Sequence, residues 1–359
     1  MFKIARYISK AYLMTWLTLV FGFLTLIGLL DSLANGADIV KSGGGFKSTF
    51  RYMFLRAPVI FDRIFVFTLV VAVLLTFVKL IRQHELVALL GFGISAAKQT
   101  LLMTPAVVGA AILSVLFIDI AVPPAVRSLQ TWGIGEYKIK NITAKNPLWL
   151  EDNGNIIRAT ERVDFETLGD LKFFFRDGDG SVIKIWHVEQ ASYKTENWKL
   201  SGIEVLEIIS EANLVRNLSP VSGTRLWETR QTPKSIARLA AEPRDLSLAE
   251  MRNFSARGNS GSKPSFAYKF WHMHRITRPL AAFILLILCA ALMQRTGRED
   301  TGNKTLIIGI TIAFLFLIID GAMATFAVSG GMGVLPAIAL PLLCFGLVGA
   351  FMLLRTESL

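Results

Sequence analysis

The sequence predicts a polytopic α-helical membrane protein of six spans, with one periplasmic all-β domain, a sandwich or jellyroll, inserted between the third and the fourth. Three observations predict it. The 359 residues are 53% hydrophobic and only 18% charged, with a mean hydropathy of +0.50, which a soluble chain of this length rarely reaches. Six apolar runs of about 20 residues each match the thickness of a bilayer. One long polar stretch, punctuated by Asn-Gly and Asp-Gly between β-rich runs, interrupts them.

The spans lie at about residues 11–30, 59–81, 97–120, 273–293, 304–327 and 336–354. They divide the chain into a first membrane part (1–120), a polar insert with its connectors (121–265) and a second membrane part (266–359). The first span follows a basic start with Lys3, Arg6 and Lys10. No small-residue cleavage site follows it and Asp31 closes the run, so it reads as a retained span. The second loop carries Lys79, Arg82 and Lys98, and the fourth carries Arg295, Arg298 and Lys304. By the positive-inside rule the N-terminus and these loops face the cytoplasm. The first loop is basic as well (Lys41, Lys47, Arg51, Arg56). Three spans lead from the cytoplasmic N-terminus to the insert, and this odd number puts it outside, in the periplasm of a bacterium with an inner and an outer membrane.

The formal charge of +11 raises the question of nucleic acid. The cations instead flank spans, and the polar insert has mixed charge with no basic stripe, so an anionic lipid partner fits better. Cys289 and Cys344 both sit inside apolar runs. They offer neither a disulfide framework nor metal spacing and read as packing residues.

The insert reads as β. Leu148 to Asp152 is followed by Asn153-Gly154 and by Ile156 to Ala159; Leu171 to Phe175 reaches Asp177-Gly178-Asp179-Gly180 and then Val182 to Trp186. Such spacing predicts hairpins assembled as a sandwich or jellyroll. Alternation assigns Leu148, Leu150, Ile157, Phe173, Phe175, Ile183 and Ile185 to its interior. Residues 232–262 lose the pattern and read as a connector, with a short helix at Ser247–Phe254 and a Gly/Ser run at 258–262.

Residues 82–94, Arg-Gln-His-Glu-Leu-Val-Ala-Leu-Leu-Gly-Phe-Gly-Ile, are too short and too charged to cross a bilayer. Leu86, Leu89 and Leu90 share a helical stripe. A short helix between spans on the cytoplasmic side is a means of docking a membrane subunit onto a separate motor. Nucleotide chemistry is not expected in this chain: Gly43-Gly44-Gly45-Phe46-Lys47-Ser48 lacks phosphate-loop spacing. Glu151 and Asp152 are adjacent on a strand and point to opposite faces, so they do not make a carboxylate pair. His272 and His274, beside Trp271, fit an interfacial belt better than zinc, which needs two more ligands. No metal site is expected. Asp31, Asp119 and Asp320 fall at or inside apolar spans, where acids either face a protein interior or snorkel outward. Arg51, Arg56 and Arg63, near the outer start of the second span, are either headgroup anchors or phosphate ligands.

The order of parts, with Gln83-His84-Glu85-Leu86-Val87 and Gly91-Phe92-Gly93-Ile94-Ser95 in the short helix, Asn146-Pro147-Leu148-Trp149-Leu150-Glu151-Asp152 opening the β insert, and Gly333-Val334-Leu335-Pro336-Ala337-Ile338-Ala339-Leu340-Pro341 before the last span, resembles the LptF/LptG permease family of lipopolysaccharide export. The resemblance covers essentially the whole chain, and the His-Glu-Leu-Val and Leu-Pro-Ala stretches lean toward the LptG branch. It implies a non-enzymatic inner-membrane subunit without a cofactor of its own, ATP and Mg being bound by a partner LptB ATPase dimer. The further partners implied are an LptF-type permease, LptC, the periplasmic LptA bridge, lipopolysaccharide and membrane lipids. By position it implies that Arg82, His84, Glu85 and Leu86 face the ATPase. Asp31 matches an acid at the top of the first span. Gly28 stands where some members carry a lysine, so Lys41, Arg51 or Arg56 would supply the charge toward lipid phosphates, with Arg63 and Asp320 as further lipid-facing candidates. A membrane-anchored enzyme, or a scaffold adding strands to a partner sheet, are the alternative classes.

Overall fold

The computed structural model describes residues 2–41, 45–134, 142–144, 147–152, 154–164, 166–178, 180–194, 196–209, 214–221, 223–229, 231–233, 235–236, 242–256, 263–296 and 302–357. Gly43, Gly44, Asn146, Asn153, Asp179, Arg298 and the 258–262 run lie outside the described residues. The chain forms two compact units, one made of Met1–Ala125 with Lys269–Leu359, the other of Val126–Tyr268.

The first unit is helical: α1 (Phe2–Ala34), α2 (Gly36–Lys41), α3 (Phe46–Arg82), α4 (Glu85–Gly91) and most of α5 (Ala96–Trp132), then most of α7 (Ser265–Thr296), α8 (Gly302–Val328) and α9 (Val334–Glu357). Six of these are long and apolar enough to cross a membrane. Most run well past the apolar window read from sequence. Hydropathy marks the stretch that lipid tolerates, whereas backbone hydrogen bonding carries a helix on wherever a neighbour covers one side.

Leu69 to Leu74 of α3 are buried on every side, which places this helix at the centre of the bundle. Against it α1 lays Tyr12 and Trp16, both buried. Trp16 meets Phe61 and Phe65 edge-on, with ring centroids 6.4 and 6.3 Å apart. Glycine allows two close approaches: a Cβ on Gly309 of α8 would stand 2.6 Å from the Leu74 side chain, and one on Gly349 of α9 would stand 3.1 Å from the Leu288 backbone. Small residues at such crossings matter in lipid, where apolar surface alone gives helices no preference for one another.

The second unit holds β1 (Leu148–Asp152), β2 (Asn155–Arg162), β3 (Thr167–Arg176), β4 (Val182–Lys194), β5 (Asn197–Ile209), β6 (Leu214–Val221) and β7 (Arg225–Trp227), followed by α6 (Leu248–Ala256). The strands make one antiparallel sheet in sequence order, with β7 joining β5. At the start of α6, Ser247 and Glu250 exchange side chain-to-backbone bonds, Glu250 N donating to Ser247 Oγ and Ser247 N to Glu250 Oε2, a capping box.

Register stacks the apolar residues into rows across five strands: Leu150, Ile157, Phe173, Trp186 and Val205 in one, Leu148, Ala159, Leu171, Val188 and Ile203 in the next. The inward parity then switches. Leu168, Ala191 and Leu200 are also buried, each three residues from the inward residue of its own strand. The switch occurs at one level of the sheet, at Asp170, Glu189 and Gly202. Asp170 (φ +44°) and Gly202 (φ +66°) are left-handed there, and the local kink bends the sheet.

The bend lets the sheet roll on itself. Five strand spacings of about 4.8 Å separate β1 from β7 if the sheet is flat, roughly 24 Å. Yet the Trp227 indole N–H donates to Asp152 Oδ2 at 3.0 Å. The roll encloses a core that includes Phe173, Trp198 and Trp227.

Candidate functional site

The segment read as a helix over 82–94 is shorter in the structure. Arg82 is the last residue of α3, and His84 adopts a left-handed conformation (φ +60°), which breaks helical continuity. The helix proper, α4, runs Glu85–Gly91. Its apolar residues divide between a buried and an exposed side. Leu86 is buried, while Val87, Leu90 and the following Phe92 are exposed, Phe92 at 82%. The Gln99 carboxamide of α5 donates to the carbonyls of Leu86 and Ile94, at 3.5 and 3.1 Å. The Tyr7 phenol of α1 donates to Glu85 Oε1 at 2.8 Å. Arg82 and His84 are exposed and Glu85 is half-buried. The buried Leu86 is therefore an anchor inside the chain rather than a residue facing outward, contrary to its expected place beside Glu85 at a partner.

At the other end of the helical unit the acids find cations. Arg56 Nε donates to Asp31 Oδ2 at 2.7 Å, and the Tyr52 hydroxyl donates to the same oxygen at 3.0 Å. Asn35 Nδ2 donates to Asp31 Oδ1 at 3.3 Å. Asp31 and Arg56 thus neutralise each other, with the Arg56 side chain only 6% exposed. This corrects their reading as lipid ligands, because a buried guanidinium held by a carboxylate is not free to bind phosphate. Lys41, Arg51 and Arg63 are exposed.

A second cluster centres on α7. Arg278 Nη1 donates to Asp62 Oδ1 of α3 at 2.6 Å, both side chains 4% exposed. Arg275 Nη1 donates to Asp119 Oδ1 of α5 at 3.3 Å. His274 Nε2 lies 3.0 and 3.2 Å from the carboxylate oxygens of Asp320 on α8. Residues on two turns of one helix therefore clamp three others. Asp320, expected to face lipid, is engaged inside the protein instead. Asp62 was missed by sequence reasoning, and Arg275 and Arg278 count there only among the cations that flank spans. The available signal was their spacing of three, which puts both arginines on one helical face, together with a lone acid near the outer end of each neighbouring span.

In the sheet, Leu148, Leu150, Ile157 and Phe173 are buried, and Phe175 packs against them. Ile183 and Ile185 are corrected. Ile185 pairs with Phe174 on the outer face while Phe173 pairs with Trp186, and Ile183 is 46% exposed. Period-two alternation allows only one of the two sets inward, and Trp186 with Val188 takes it. A cavity of about 250 Å³ opens beside this row, lined by Ile157, Phe173, Phe175, Trp186, Trp227 and Asp152 among others. The Arg225 guanidinium lies 5.2 Å from the Trp186 ring centroid and Lys184 Nζ 6.0 Å. An apolar, aromatic slot with cations beside it suits an acyl chain joined to an anionic group.

On the outer face His187 Nε2 lies 2.9 Å from Asp170 Oδ1. The Thr160 hydroxyl donates to the other carboxylate oxygen. These contacts, the Thr160 hydroxyl first, hold the Asp170 carboxyl below its ordinary value of 3.8 against the opposing effect of burial.

Six bundle helices, a short exposed helix between two of them and a rolled β insert with an apolar slot define a multi-pass membrane protein of the transporter-subunit class. The chain belongs to the lipopolysaccharide export system permease LptF/LptG family, whose model matches residues 6–355. It is similar to the lipopolysaccharide export system permease protein LptG of Escherichia coli K12, 19% identical over 356 residues, covering 98% of this chain and 97% of that one. It is also similar to the LptG protein of Haemophilus influenzae, 23% identical over 208 residues, 57% of this chain and 56% of the relative.

Proposed function

We propose that this chain is an LptG-type permease subunit of an ATP-driven lipopolysaccharide exporter in the bacterial inner membrane, with its β unit in the periplasm. The observation that carries the reading is α4, a helix too short to stand alone, tied to α1 and α5 and presenting Val87, Leu90 and Phe92 outward. That is the form of a lever for a partner. The partner is an LptB ATPase dimer, which binds ATP and Mg, so this subunit needs no cofactor of its own and catalyses no reaction. An LptF-type permease completes the pair.

Lipopolysaccharide enters between α1 and α8 of opposite subunits from the outer leaflet. Lys41, Arg51 and Arg63 are exposed cations that meet its phosphates, and closure of the cavity drives it toward the rolled sheet. The slot at Ile157, Phe173, Phe175 and Trp186 takes its acyl chains, and LptC with the LptA bridge receives it. The similarity to LptG proteins over nearly the full length supports the branch assigned.

The test is co-expression with the LptF-type permease and the ATPase, comparing the native chain with Glu85→Arg. Reversing this charge is expected to abolish both co-purification and lipid-stimulated ATP hydrolysis. Full assembly and stimulation in the variant would remove Glu85 from the coupling. Failure of the native chain to recruit an ATPase would overturn the exporter reading in favour of a periplasmic scaffold.

A further inference from the structure

We infer that Tyr7 is a positioning residue that carries the movement of α4 into α1. The inference rests on the motor-coupling reading above. A helix of seven residues has too few backbone bonds to fix its own place, so its direction is set by what holds it. The left-handed residue His84 interrupts the backbone between α3 and α4, and α4 does not simply prolong α3. Two side-chain hydrogen-bonding residues, Gln99 and Tyr7, tie the segment to other helices. Gln99 donates to the carbonyl of Leu86 within α4 and to that of Ile94 just after it, and fixes the segment to α5. The Tyr7 hydroxyl donates to Glu85 Oε1 at 2.8 Å across 78 positions of sequence and fixes it to α1.

The second tie has a particular geometry. The bond engages one carboxylate oxygen and leaves Oε2 to accept from a cation on a partner. Glu85 then stands between the motor and α1, and Tyr7 holds its fork in place. Tyr7 is 49% exposed, so its hydroxyl is not needed to satisfy a buried group, and Tyr7→Phe removes the tie without opening a cavity.

The experiment has one arm that needs no motor and one that does. In a Cys344→Ser background, with Cys289 buried, spin labels at Arg6→Cys and Ala88→Cys report the α1–α4 distance in the detergent-solubilised full chain. A single narrow distribution is expected, broadened by Tyr7→Phe. An unchanged distribution would overturn the proposal outright. In the assembled complex Tyr7→Phe is expected to leave ATPase recruitment intact and to lower the lipid moved per ATP by roughly five-fold, the equilibrium factor for one hydrogen bond. Equal transport per ATP overturns the positioning role, and so does a parallel loss of assembly. If the native complex shows no stimulated hydrolysis, the motor reading falls, while the distance arm still decides whether Tyr7 holds α4 to α1.

Discussion

The two units bury opposite things. In the helical unit the decisive buried contacts are ionic: Arg278 with Asp62, Arg56 with Asp31 and Arg275 with Asp119. In the sheet unit the decisive contacts are apolar rows, and the His187–Asp170 hydrogen-bonded pair sits outside with side chains 37% and 48% exposed. The difference follows from the solvent. Lipid is as apolar as leucine and cannot tell one helix face from another, so position in the bundle is fixed by polar partners and close small-residue contacts. Water rewards burial of any apolar row, so the sheet is fixed by hydrophobic alternation and leaves its charges in solvent.

Substitutions at each region sharpen this contrast. Arg278→Ala takes from the buried Asp62 its 2.6 Å guanidinium partner and is expected to cost about 3–5 kcal/mol. Thermal unfolding of the detergent-solubilised chain measures it, and the double variant Arg278→Ala/Asp62→Ala should recover part of the loss. A double variant no better than the single one would show that the pair is not what places α7.

Leu171→Ala, fully buried in the second apolar row, is expected to cost about 2–5 kcal/mol. Ile183→Ser should stay within about 0.5 kcal/mol, although in sequence the two positions look equally interior. Comparable losses at both positions would refute the assigned register.

Gly202→Ala forces a β-carbon to 2.6 Å from the Glu189 Cβ at a φ of +66°. A cost of about 1–3 kcal/mol is expected, with tryptophan fluorescence of Trp198 and Trp227 as the readout of a loosened roll.

The smallest effect concerns acid. Asp170 ionises more readily in the fold than its ordinary 3.8. Its contribution is therefore complete above that value and is lost as pH falls through the lower, folded-state value. Asp170→Asn keeps a residue that tolerates the left-handed backbone and should flatten the acid limb of the stability profile below about pH 4. A profile unchanged in slope would show that the Thr160 and His187 contacts do not act on stability.

Much of this was legible in the sequence. The six spans, the β insert and the short helix near residue 85 follow from local hydropathy, period and turn chemistry. So do Leu148, Leu150, Ile157 and Phe173 as interior residues. The errors share a cause. Ile183 and Ile185 are as apolar as Trp186 and Val188, and only pairing with Phe173 and Leu171 decides which set turns inward. Asp31, Arg56 and Asp320 look like charges seeking lipid because their partners lie on other helices.

By itself the sequence determined which segments reside in lipid, which form strands and where a short helix interrupts the spans. Each of these depends on residues within about twenty positions of one another, the length over which a bilayer or a strand pair reads a chain. Tertiary structure alone decided which acid meets which base, where the sheet bends at Asp170 and Gly202, and that Trp227 closes the roll on Asp152. Those contacts join residues as far apart as Asp62 and Arg278, 216 positions in the chain. Charge and hydrogen-bond complementarity act on distance in space, and no local pattern records it.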